Sequence, residues 1–344
     1  MPKKIAIIGA TGYTGSELAR ILVCHPEVEI ALITSQSHSG KRFSDIHPFF
    51  RDILETELQT ADKLAEAKID LAFLALPHGV SMTFAEKFKN ANFKIIDLSG
   101  DFRLNTPESY EEWYQKEHTF KEGFEKAIYG LPELFGDEIA EAELVANPGC
   151  YPTSAILALL PLIRENLIEP SCVIIDSKSG TTGAGVKAKA ATHFSNVNDN
   201  FKAYGLKKHR HSIEIQQVLE KAGNRDLTLQ FTPHLLPIDR GILTTAYAKP
   251  SGFISEEQLK SLYRSFYADK PFVRLVNSPP AVKDVRGSNY CDFFATYDER
   301  TNNIIVISVL DNLVKGAAGQ AVQNMNIMFG FDERTGLHMV PVNP

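Results

Sequence analysis

Cysteine is scarce in this chain, and what there is lies scattered. The 344 residues hold four, Cys24, Cys150, Cys172 and Cys291, with no C-x-x-C pair among them. That spacing argues against a disulfide framework or a zinc site and favours a reducing compartment, so a cytoplasmic protein is expected. No apolar run approaches the ~20 residues of a membrane-spanning helix. The run at residues 5–8 is too short for a secretion signal and ends in a glycine turn. Neither a P-loop nor a metal-ligand spacing occurs, and no metal is expected. Positive charge is not in excess either: the net charge of −6 speaks against nucleic acid or an anionic membrane as main partner. Internal repeats and low-complexity segments are absent. At 44% hydrophobic and 23% charged residues, the composition is that of an ordinary globular protein long enough for two domains.

What is present begins at the N-terminus. Lys3-Lys4 leads into the strand pattern Ile5-Ala-Ile-Ile8, followed at once by Gly9-Ala-Thr-Gly12-Tyr-Thr-Gly15. A helical spacing of Leu18, Ile21 and Leu22 comes next. Strand, glycine turn and helix in that order suit a dinucleotide: the glycines allow close backbone approach to a pyrophosphate, which the helix N-terminus stabilises. The second strand pattern spans residues 28–34, and Ser35 falls 20 residues past Gly15. An NAD site usually has a carboxylate there for the ribose 2′-hydroxyl. Here the run is Ser35-Gln-Ser37-His-Ser-Gly-Lys41-Arg42, hydroxyls and cations with no acid. NADP is therefore expected over NAD.

Strand and helix patterns alternate up to about residue 149. Residues 69–76 are apolar almost throughout, the mark of a strand buried on both faces of a parallel sheet, and residues 93–97 follow as another strand. Beyond Cys150, longer β-branched strand patterns at 172–176, 227–231, 241–248, 291–296 and 303–308 point to a mixed α+β domain on a largely antiparallel sheet. Leu313, Ala317, Ala321 and Met325 give residues 312–329 a helical period. The expected fold class is α/β: a Rossmann-like NADP-binding domain over 1–149, a catalytic and dimerisation α+β domain over 150–311, and a C-terminal helix, 312–344, returning to the first domain.

Cys150 is the residue from which the chemistry can be read. It stands in Ala-Asn-Pro-Gly-Cys-Tyr-Pro-Thr-Ser (146–154), a turn signal followed by the helical pattern Ile156, Leu157, Leu159, Leu160 and Leu162. A thiol at or just before a helix N-terminus is favoured as thiolate, and a strand–turn–helix corner exposes it as a nucleophile. Two further groups stand out. Asp176-Ser-Lys-Ser-Gly180-Thr-Thr-Gly183-Ala-Gly185 offers backbone amides to a cofactor or acyl group. Lys207-Lys-His209-Arg210-His211-Ser-Ile-Glu214 opens a helix pattern with two histidines at i and i+2. On a helix those two would face different ways, one serving as acid/base and the other in a structural role.

Taken together, these motifs resemble the N-acetyl-γ-glutamyl-phosphate reductases of the semialdehyde dehydrogenase superfamily. The resemblance runs the length of the chain: GATGYTG (9–15), SxxxxGK (35–41), ALPHG (75–79), DLSGDFR (97–103), YGLPELF (129–135), NPGCYPT (147–153), KSGTTGAG (178–185), HRHSIEI (209–215), FTPHLLPIDRGI (231–242) and DNLVKGAAGQAVQNMN (311–326). It implies that Cys150 is the nucleophile and His211 the general acid/base. Gly9, Thr11, Gly12, Tyr13, Thr14, Gly15, Ser35, Ser37, Lys41, Pro77, Ser179, Gly180 and Asn312 would bind NADP. Arg103 would bind phosphate, with Asn147 and His209 toward the substrate. The implied reaction is NADPH-dependent reduction of N-acetylglutamyl phosphate to its semialdehyde with release of phosphate, through a cysteine thioester, in a dimer or tetramer. A related acyl phosphate, aspartyl or carrier-linked aminoadipyl, is the nearer alternative substrate. An NADP-binding sensor that has lost catalysis is the more distant one.

Overall fold

Short runs of leucine, isoleucine and alanine with no polar break require cover on both faces of a strand, and a parallel sheet provides it. Six strands, the apolar runs at 5–8 and 71–74 among them, form one sheet: β1 (Lys3–Ile8), β2 (Val28–Thr34), β3 (Leu71–Leu74), β4 (Lys94–Asp97), β5 (Ala127–Tyr129) and β6 (Leu144–Ala146). Their order is β2-β1-β3-β4-β6-β5, every neighbouring pair is parallel, and Ile5, Ala6, Ile7 and all of β3 are buried. This is the Rossmann-like sheet expected from the alternating pattern.

The chain, a computed structural model described over residues 1–343, divides into two units. Pro344, the last residue of the expected C-terminal segment, lies outside the described residues. The first unit is Met1–Pro148 with Ala317–His338; the second is Gly149–Gly316 with the residues from Met339 on. The expected segment 312–344 is thus divided: residues 312–316 stay with the second unit, and so does the tail, where Val342 N donates to Arg286 O at 2.8 Å. In the first unit, α1 (Tyr13–Leu22) follows β1, α2 (Ser81–Lys87) follows β3, and α3 (Pro132–Glu141) follows β5.

The second unit holds seven strands: β7 (Ile168–Ser179), β8 (Lys202–Ala203), β9 (Leu229–Leu235), β10 (Ile242–Pro250), β11 (Val273–Leu275), β12 (Cys291–Asp298) and β13 (Asn303–Leu310). Their order is β11-β12-β13-β10-β7-β9-β8, antiparallel except for the pairs β11–β12 and β7–β9. The strands run longer than the sequence patterns suggested, because pairing carries on through polar residues such as Ser177 and Lys178. One face is covered by α4 (Cys150–Arg164). Thirteen successive residues of α4, 151 to 163, are buried, which accounts for its being apolar on every side. Where α4 crosses the sheet, Ser154 Oγ meets Thr244 Oγ1 (2.9 Å) and Ser308 Oγ (2.6 Å), and Ser177 Oγ meets Thr244 Oγ1 (2.8 Å). These buried hydroxyls satisfy one another, so they avoid the desolvation cost of an unpaired polar group. Helix α5 (His211–Gly223) packs on α4, and α6 (Glu256–Phe266) lies on β12. In the first unit, α7 (Gly319–Met328) lies against α1 and α3.

The sheet of the first unit ends in a corner with no room for side chains. Gly9 has φ +86°, and a Cβ there would stand 2.5 Å from Ala75 O. Both the left-handed backbone and the contact exclude an L-residue. Gly9→Ala should therefore lower the melting temperature and remove NADP binding together. Thermal melts with and without NADP check this, and a variant that melts and binds as the parent does would contradict it.

Candidate active site

Three glycines each do a different job at the β1–α1 corner. Gly9 turns the chain. Gly12 is the residue preceding α1, extended at φ −78° and ψ 167°. Gly15 lies so close to the strand end that a Cβ would meet Gly9 O at 2.6 Å and Ala10 Cα at 2.7 Å. The residue before α1 makes no side-chain cap and no acid stands in its first turn, which leaves the positive helix end to an anion such as a pyrophosphate. Thr11 and Thr14 are half-buried, and Tyr13 is exposed.

The loop after β2 is pinned beside this corner. Thr34 Oγ1 accepts from Gly9 N at 3.2 Å, and Ser35 Oγ meets Thr11 Oγ1 at 3.0 Å. Ser35 is therefore nearly buried, at 3% exposure, while Ser37 and Lys41 stay in solvent. Gly40 N and Leu58 N bond Leu58 O and Lys41 O at 2.8 Å each, which ties the loop to the 56–59 segment. The structure brings Gly9–Gly15, Ser35 and Lys41 into one neighbourhood.

Pro77 is exposed at the carboxyl end of β3. The adjoining loop is held by Asp101, whose carboxylate accepts from Gly79 N (2.7 Å), Met82 N (3.0 Å) and Tyr110 Oη (3.0 Å). Asp97 lies beside it, its carboxyl raised above the ordinary range by burial first and by the Asp101 charge second. In this way the DLSGDFR run closes on itself. Arg103, 7% exposed, donates from Nε to Asn147 O (2.7 Å) and from Nη2 to Leu98 O (2.8 Å). Asn147 is 1% exposed; its side chain donates to Ala317 O at 3.1 Å and accepts from Asn324 Nδ2 at 3.0 Å. That amide clamps the loop after β6 to the segment opening α7.

In the second unit, Cys150 is the first residue of α4 and half-exposed. Pro152 sits in the first turn, where no intrahelical donor is needed, and Thr153 donates from both N and Oγ1 to Gly149 O. The Gly149 amide donates to Glu214 Oε1 at 2.8 Å, and Glu214 is fully buried. Since Glu214 lies three residues after His211 on α5, this bond ties the thiol corner to the helix that carries the expected acid/base. Glu214 went unassigned in the sequence reading; its i+3 relation to His211 was the available signal.

The two histidines do not diverge as expected. His211 opens α5, but His209 precedes the helix, so helical spacing does not separate them. Their ring centroids lie 4.8 Å apart, and His209 Nδ1 accepts from His211 N at 3.2 Å. Both rings stand edge-on to Tyr151, at 5.6 and 5.9 Å. Burial, followed by the Arg210 charge, pushes the His209 pKa down to about 4. A neutral His209 with an accepting Nδ1 fits the bond it makes. Tyr151 Oη meets Tyr204 Oη at 3.0 Å and donates to His234 O at 3.2 Å. Burial pushes both phenols up, that of Tyr204 to about 12.

Ser179, Gly180 and Asn312 also come together. Ser179 ends β7 opposite Ile242. Gly180 N bonds Gly241 O at 2.9 Å, and a Cβ at Gly180 would meet Asp239 O at 2.6 Å. Asn312 accepts from Gly241 N at 2.8 Å and donates to Thr182 Oγ1 at 2.9 Å. The glycine-rich run is a tied loop, and nothing in its bonding suggests a loose linker.

A glycine corner in a parallel sheet and a thiol opening a buried helix define a class: dinucleotide-dependent oxidoreductases of two-domain α/β build. The semialdehyde dehydrogenase NAD-binding domain matches residues 4–142, and the semialdehyde dehydrogenase dimerisation domain matches residues 150–312. A reductase named N-acetyl-gamma-glutamyl-phosphate reductase in Desulfotalea psychrophila is 53% identical over 99% of each chain. Proteins of the same name are 50% identical in Pelotomaculum thermopropionicum, over 98% of each chain, and 48% identical in Geobacter metallireducens, over 99% of each. Among solved structures, aspartate semialdehyde dehydrogenase II of Vibrio cholerae superposes with a TM-score of 0.74 at 17% identity, over 96% of this chain and 99% of that one. The chain belongs to the semialdehyde dehydrogenase family, on the branch of the N-acetyl-gamma-glutamyl-phosphate reductases. Its cofactor is NADP.

Two outcomes follow from this geometry. On the expectation that Ser35 and Lys41 meet the 2′-phosphate, Ser35→Asp should move kcat/KM from NADPH toward NADH. Lys41→Ala should weaken NADPH alone, by ~10- to 100-fold for one lost charge-assisted contact. Unchanged NADPH/NADH ratios in both variants would reduce the basic loop to solvated surface. The second outcome concerns pH. Between about pH 6.5 and 4 the unfolded chain protonates position 209 while the folded chain resists, so stability is lost as pH falls through that window. His209→Asn keeps an acceptor for the His211 amide and removes the titration. The gap in melting temperature between parent and variant should narrow on acidification; a constant gap would count against the buried neutral ring.

Proposed function

We propose that this chain reduces N-acetyl-L-glutamyl 5-phosphate to N-acetyl-L-glutamate 5-semialdehyde, releasing phosphate, through a thioester on Cys150. The observation that carries the reading is the Gly149–Glu214 bond at 2.8 Å, which joins the thiol corner to the helix opened by His211. Relatives at 45–53% identity that bear the reductase name support the choice of substrate.

The Cys150 thiolate attacks the acyl carbon, and the C–O bond to phosphate breaks with its electron pair leaving on phosphate. Arg103, whose guanidinium is oriented by Leu98 O and Asn147 O, is our phosphate-binding cation. NADPH, when bound, supplies the hydride that reduces the thioester. The resulting thiohemiacetal collapses as Cys150 leaves as thiolate, and His211 moves the proton that the oxygen gains or gives up. His209 orients His211 through its accepting nitrogen and faces the substrate. Gly9–Gly15, Ser35, Ser37, Lys41 and Pro77 are our cofactor contacts in the first unit, and Ser179, Gly180 and Asn312 those in the second. Asn147 serves the substrate end through the loop it clamps. Splitting the reduction this way presents hydride with a thioester, a better electrophile than a carboxylate.

The assembly we infer is a homodimer or tetramer. Ile174 and Tyr247 pair across β7 and β10 and are 41% and 37% exposed, on the opposite sheet face from Thr244 and its buried neighbours. The family's dimerisation-domain match, over residues 150–312, includes both strands and supports an oligomer. A cytoplasmic setting accords with four cysteines that are all free thiols.

The test is an assay in the reverse direction: purified protein with N-acetylglutamate semialdehyde, NADP and phosphate should form NADPH. The aspartyl and aminoadipyl analogues should be slower. Cys150→Ala should lose turnover and keep NADP affinity, and His211→Asn should cost kcat by ~10²–10⁴. Equal loss of activity and NADP affinity in Cys150→Ala would make the cysteine structural and sink the thioester.

A further inference from the structure

Between β13 and α7 the chain winds through an unusual turn. Val314–Ala318 form a single π-helical turn, and Gly316 N donates to Asp311 O, five residues back, at 2.9 Å. Such one-turn insertions are rare and recur at functional sites. This one is built around a fully buried carboxylate. Asp311 Oδ1 accepts from the amides of Leu313 (2.9 Å) and Val314 (3.2 Å), and Oδ2 accepts from Gly287 N at 2.7 Å. Arg240 Nε lies 3.3 Å from the same Oδ2. With three backbone donors and a guanidinium on one carboxylate, the turn has little freedom to wind otherwise.

What the turn presents to α4 is Gly316. A Cβ there would lie 2.7 Å from Cys150 Cβ, 3.2 Å from Cys150 Cα and 3.3 Å from Leu310 Cδ1. The first two neighbours belong to a residue fixed by its helix, so neither can swing away. Gly316 is not among the glycines of positive φ, and alanine would meet no backbone penalty there. Only space excludes it.

We propose that the Asp311-anchored π-turn is the wall that sets the direction of the Cys150 side chain, with Gly316 as its positioning residue. The proposal rests on the reading of Cys150 as the nucleophile, and its test is separable from that reading. Alkylation of Cys150 by iodoacetamide, followed across pH on the peptide that carries it, reports thiol placement without any turnover. Gly316→Ala should change that rate by ~10-fold or more and lower kcat by ~10², the usual cost of a displacement near 1 Å, with KM for NADPH unchanged. A merely structural glycine would alter melting temperature and leave the alkylation profile of the folded protein as it was.

Should Gly316→Ala fold poorly, a stability cycle decides. Cys150→Gly removes the Cβ that the new methyl strikes, so Gly316→Ala should cost far less stability in that background than in the parent. The proposal is overturned if a folded Gly316→Ala keeps the parent's alkylation rate and kcat. It is overturned equally if Gly316→Ala costs as much stability in the Cys150→Gly background as in the parent.

Discussion

A buried carboxylate holds the second unit's chemistry in place. Glu214 is removed from water in the first turn of α5, where the helix dipole favours an anion, and takes the amide of the residue before Cys150. A carboxylate in that setting is tolerable only with donors around it. The requirement runs both ways: the open end of α4 needs an acceptor and the acid needs a donor. Each corner therefore specifies the other, and the thiol and His211 inherit their relation from a bond that neither of them makes.

The same logic of mutual demand recurs across the molecule. Asp101 collects the amides of Gly79 and Met82 with the Tyr110 hydroxyl, and Asp311 collects those of Leu313, Val314 and Gly287. Loops that would otherwise bury orphan donors are instead wound around single acids. Close contact adds to this: at Gly9 against Ala75, Gly180 against Asp239 and Gly316 against Cys150 there is less room than a side chain's normal contact distance. Rigid loops of this kind suit a reaction that needs atoms held within a fraction of an ångström.

Much of the fold could be read along the chain. The parallel sheet followed from unbroken apolar runs such as that at β3, and the mixed sheet from β-branched strands after Cys150. The glycine corner was legible because each glycine answers a local steric demand. His209 was misread, since helical spacing was extended to a residue that lies before the helix. The structural partners of Asn147, Glu214 and Asp311 were also out of reach. The donor to Glu214 lies 65 residues away and the acceptor for the Asn147 amide 170 away, and no periodicity carries that information.

By itself, the sequence determined which chemistry is available: a thiol at a helix start, a basic loop without an acid, glycines where backbone must come close. Each is a local property, set by residue type and by the few neighbours along the chain. Tertiary structure alone decided how these groups are held. Tyr151 lies against both histidines, Ser35 is locked to Thr11, and the π-turn closes on Cys150. Those relations depend on packing and on the pairing of buried polar groups, which select partners by distance in space and are blind to distance along the chain.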